Sequence, residues 1–94
     1  MKTVFLDAED GYLWAESYSS RRIAVPVSDE GYALVCQWAE TPYPEDRHLS
    51  GVLADWVEEN LTLTPELERT VRLLRRRFAS STFSESLEVA SDAP

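Results

Sequence analysis

The sequence predicts an α+β fold: an N-terminal three-stranded antiparallel β-meander packed against two or three α-helices, the last two forming a helical hairpin. Three observations carry this. Over residues 3–27 apolar and polar side chains alternate between turn residues, the period-two pattern of strands. From residue 44 onward apolar residues recur every three or four positions, the period of helices. Two start signals, Pro44-Glu45-Asp46 and Thr64-Pro65-Glu66, divide that second half in two.

The first strand is Thr3-Val4-Phe5-Leu6, closed by the turn Asp7-Ala8-Glu9-Asp10-Gly11, because glycine accepts the positive φ that a tight hairpin needs. Tyr12 to Tyr18 alternates next, with Leu13, Ala15 and Ser17 on one side and Tyr12, Trp14, Glu16 and Tyr18 on the other. After Ser19-Ser20, the third strand sets Ile23, Val25 and Val27 against Arg22, Ala24 and Pro26. Pro26 has no amide hydrogen, so this strand lies at an edge or ends there.

Residues 28–40 fit two patterns. Ser28 before Asp29-Glu30 reads as a helix N-cap with acids in the first turn, and Tyr32, Val35, Cys36 and Ala39 share a helical face. Tyr32, Leu34, Cys36 and Trp38 also fit strand alternation; the helix is preferred. Thr41-Pro42-Tyr43-Pro44 is a stiff connector, and Pro44 suits the first position of a helix. Leu49, Val52, Leu53, Trp56 and Val57 give that helix its apolar face; Leu67, Val71, Leu74 and Phe78 do so for the next. Trp14, Trp38 and Trp56 are expected to anchor the core, and Tyr43 to be exposed. The chain of 94 residues therefore divides into one compact domain over 1–79 and an acidic, Ser/Thr-rich flexible tail over 80–94.

Seventeen acidic residues outnumber nine basic ones, for a net charge of −8, which disfavours generic binding to nucleic acid or anionic lipid. The charge is uneven. Residues 1–60 carry twelve acids and four bases, residues 61–80 two acids and five arginines, and residues 81–94 three acids and no base. The single cysteine cannot close an intramolecular bridge. No apolar run nears the ~20 residues of a membrane span, and no signal-like segment opens the chain. A cytoplasmic protein with no membrane role is expected.

Two surfaces stand out as partner-binding candidates. Asp55, Glu58 and Glu59 lie on the outer face of the second predicted helix, the last two near its C-terminus, where the helix dipole disfavours anions. Carboxylates in such a place can stand in for phosphates in a nucleic-acid-binding groove. Arg69, Arg72 and Arg76 lie opposite the apolar face of the last helix, with Arg75 and Arg77 on its flanks, as a basic surface for an acidic protein or for phosphate.

No catalytic residue, metal site or cofactor is assigned. No nucleophile elbow, P-loop, dinucleotide fingerprint, zinc spacing or calcium loop is present. His48 and Asp55 are seven positions apart, about 10 Å along a helix at ~1.5 Å per residue, too far to share an ion. Cys36 is expected to be a buried, inert thiol. The pattern points to a non-enzymatic protein-interaction module whose partner has a basic or nucleic-acid-binding surface. Its specific form is an inhibitor of the kind that phages and mobile elements direct against nucleic-acid-binding defence machinery. The alternative is a nucleic-acid-binding regulator or antitoxin that uses the arginine-rich last helix.

Overall fold

A computed structural model describes the backbone of residues 1–92 and the side chains of residues 1–79. Three strands, β1 (Lys2–Leu6), β2 (Leu13–Trp14) and β3 (Ile23–Val27), form one antiparallel sheet, and three helices follow. The β1–β2 turn is built as its residues dictate. Asp7 N–H donates to Tyr12 O (2.9 Å) and Gly11 N–H to Asp7 O (2.8 Å). The carboxylates of Asp7 and Asp10 accept from the N–H groups of Glu9 and Tyr12. Gly11 sits at φ 81°, and a Cβ there would lie 2.6 Å from the Thr70 amide nitrogen, so both backbone and space require glycine.

The strand order is β2-β1-β3, not the sequential order of a meander. β1 is central, pairing Phe5 with Trp14 on one side and Val4 with Val25 on the other. The reason lies past Trp14. Ser17 and Ser19 take backbone donors for themselves, from Ser19 N–H (3.1 Å) and Arg21 N–H (3.2 Å), and so compete with a ladder. The expected seven-residue strand shrinks to two residues, and the chain passes to the other edge of β1. Pro26 then lies on an edge strand, as expected.

Residues 28–40 are helical: α1 spans Asp29–Glu40, with the Ser28 hydroxyl accepting from Gly31 N–H (3.2 Å). Its buried stripe is Gly31, Val35 and Trp38, rotated from the predicted one, so Ala39 is exposed and Tyr32 and Cys36 are half-buried. Helix α2 (Arg47–Asn60) begins later than Pro44. The Tyr43–Pro44 bond is cis, and Asp46 N–H donates to Pro42 O while Arg47 N–H donates to Pro44 O, so residues 43–46 form turns. Helix α3 (Pro65–Asp92) starts where Thr64-Pro65 says, with the Thr64 hydroxyl accepting from Leu67 N–H (3.2 Å). The flexible tail expected over 80–94 lies outside the residues whose side chains are described.

α2 and α3 pack as an antiparallel hairpin. The core joins Val4, Leu6, Leu13 and Val27 of the sheet to Val35 and Trp38, to Leu53, Ala54, Trp56 and Val57, and to Leu67 and Leu74. α1 meets α2 closely, because the Trp56 ring lies where a side chain at Gly31 would stand, 2.3 Å from its Cβ. Trp14 departs from the expected core role: it is 39% exposed, with the Arg22 guanidinium 4.1 Å from its ring centroid. Among the described residues no helix is long and apolar enough to cross a membrane.

Candidate functional site

The acidic face is split by packing. Asp55 and Glu58, one turn apart on α2, both face α3, where Arg75 donates to Asp55 Oδ1 (2.6 Å) and Glu58 Oε1 (2.5 Å). The hydrogen bonds it donates to Glu58 and then Asp55 hold the Arg75 guanidinium above its ordinary pKa. Glu59 makes no such pair; with Glu30 of α1, Asp55, Leu34, Val52 and Trp56 it lines an open groove of about 320 Å³ between α1 and α2. Among the described residues Glu30 and Glu59 have no ion-pair partner. Sequence reasoning missed Glu30 as a member of this face. Its signal was Glu30 and Leu34 at i, i+4, which means a shared face only once residues 28–40 are known to be helical.

The five arginines of α3 fall into three groups. Arg75 is tied to α2. Arg77, expected on a flank of the polar face, turns inward: it donates to Asp46 Oδ2 (2.7 Å) and lies 5.7 and 5.4 Å from the Tyr12 and Trp38 ring centroids. Asp46 is fully buried, and its Oδ2 also faces the Ser50 hydroxyl (3.5 Å), which accepts from the Trp38 indole N–H (3.0 Å). Its Oδ1 has no hydrogen-bond partner among the described residues.

Arg69, Arg72 and Arg76 form the third group, brought onto one face as their spacing predicts. Arg69 donates to the Ala8 carbonyl (2.5 Å), while its neighbour Thr70 donates to the Gly11 carbonyl (2.5 Å), so α3 clamps the β1–β2 turn. Arg72 and Arg76 are exposed and, among the described residues, without an ion-pair partner. The three arginines, Leu73, Glu9 and Asp10 line an open hollow of about 300 Å³.

Elsewhere a mostly apolar groove of about 320 Å³ runs between β3 and the α2–α3 connection, bordered by Ile23, Val25, Leu61 and Leu67. Cys36 is a free, half-buried thiol, less enclosed than expected; its position beside Tyr32 raises the Tyr32 phenol above its ordinary pKa. His48 is exposed, and among the described residues no three His, Cys, Asp or Glu side chains cluster as a metal site. No protein-family model matches the chain, and neither the curated proteins nor the solved structures contain a match to it.

Proposed function

We propose that this chain is a non-enzymatic interaction module that binds a basic protein surface through the groove between α1 and α2. The observation that supports it is the groove itself, lined by Glu30, Asp55 and Glu59 together with apolar Leu34, Val52 and Trp56. Protein interfaces combine apolar and polar side chains in one patch. Opposite charge on the partner would steer association and fix its orientation. In its most specific form the partner is a nucleic-acid-binding complex, and the carboxylates occupy positions that phosphates would take, as an inhibitor of phage or mobile-element type would do. A pull-down from the native host, followed by a nucleic-acid-binding assay of the captured partner, tests this. The wild type should reduce that binding, and Glu30→Lys with Glu59→Lys should abolish the effect. If the double variant inhibits as the wild type does, the groove is not the binding surface.

The alternative, a nucleic-acid-binding regulator or antitoxin, rests on the outward arginines Arg69, Arg72 and Arg76. It has fewer free charges than the five arginines of α3 suggest, because Arg75 and Arg77 are already paired within the fold. Such a regulator would bind duplex DNA with an affinity that falls steeply with salt. Absence of binding at low salt eliminates it.

A further inference from the structure

We propose that Arg69, Arg72 and Arg76, with the β1–β2 turn, form a site for one compact phosphate dianion, free or carried as a monoester, on the other charged surface from the α1–α2 groove. Arg69, Arg72 and Arg76 all line one hollow of about 300 Å³, together with Leu73. Arginine presents paired N–H donors that match phosphate oxygens. Arg69 is already oriented, because its Nη1 donates to the Ala8 carbonyl, a neutral acceptor that leaves the guanidinium charge uncompensated. Arg72 and Arg76 have no ion pair among the described residues, so binding an anion breaks none there. Holding one donor in place beforehand lowers the ordering cost of binding.

The opposite wall decides the ligand. Glu9 and Asp10 line the same hollow, and the Asp10 carboxylate is turned back onto Tyr12 N–H (2.8 Å). Both carboxylates oppose an anion in the hollow, and Glu9, whose carboxylate holds no part of the turn, is the one that can be neutralised without disturbing it. A dianionic monoester gains more from three arginines than a monoanionic diester does. A continuous nucleic-acid backbone would also bring its neighbouring phosphates against Glu9 and Asp10, where like charges repel. One compact phosphate fits this field, and a track of phosphates does not.

The test is a titration of the full chain at low ionic strength, followed by NMR of the arginine Nε–H signals and by calorimetry. Four probes are used: inorganic phosphate, a short phosphoserine peptide, the same peptide unphosphorylated, and a duplex DNA of a dozen or so base pairs. Phosphate and phosphopeptide should shift the Arg69, Arg72 and Arg76 signals, and the unphosphorylated peptide should not. Equal affinity of the two would assign the site to free phosphate, and tighter peptide binding to a protein-borne one. Arg72→Gln with Arg76→Gln changes exposed residues, so the fold should persist while affinity falls about tenfold or more. Glu9→Gln should tighten binding by about threefold. The proposal is overturned by absent shifts, by an unchanged affinity in the arginine double variant, by a neutral Glu9→Gln, or by duplex DNA binding more tightly than the phosphopeptide.

Discussion

Arg75 and Arg77 stand two residues apart on α3, and each reaches a carboxylate on or just before α2, at 2.6 and 2.7 Å. Their surroundings differ. The side chains of Arg75, Asp55 and Glu58 are 44%, 62% and 41% exposed, so water and salt screen their attraction. Asp46 is 0% exposed, and the Arg77 guanidinium that reaches it lies beside the adjoining Tyr12 and Trp38 rings, with Ser50 and Trp38 completing the chain of polar contacts. In a low-dielectric setting a charge that loses its partner has no water to turn to. Proximity is the same in both pairs; burial separates a surface trim from a structural tie between the start of α2 and the middle of α3.

Removing one member of each pair measures that difference. Arg77→Ala removes the ion-pair partner of the enclosed Asp46, and should cost about 3–5 kcal/mol in urea or guanidinium unfolding. The loss should persist at high salt. Gly31→Ala probes the neighbouring helix contact instead. A Cβ at 2.3 Å from the Trp56 ring forces α1 and α2 apart or twists the indole, at about 1–3 kcal/mol. Arg75→Ala comes last, at about 0–1 kcal/mol, and should fade as salt rises. A loss at Arg75 as large as that at Arg77 would show that burial does not govern the pair.

The same contrast explains what could be read in advance. Helix starts at Ser28 and Thr64 were legible because capping is local: a hydroxyl three residues from an orphan N–H needs nothing else. The Asp-Gly turn was legible for the same reason. The candidate surfaces were legible only in part. Arg69, Arg72 and Arg76 share a face by helical period alone, but the inward turn of Arg77 required the position of Asp46, thirty-one residues earlier. Asp55 and Glu58 read as free acids until α3 was laid against α2. Glu30 was invisible as their companion because a single segment, 28–40, carried two periodicities at once.

By itself the sequence determined the α+β class, the two capped helices, the hairpin turn with its glycine, and the separation of an acidic body from a basic helix. Each follows from interactions among residues close along the chain, or from a periodicity that any regular element must obey. Only the tertiary structure decided the central place of β1, the exposure of Trp14, and which charged groups remain open to a partner. Those depend on which distant surfaces exclude water from one another, and local spacing carries no information about that.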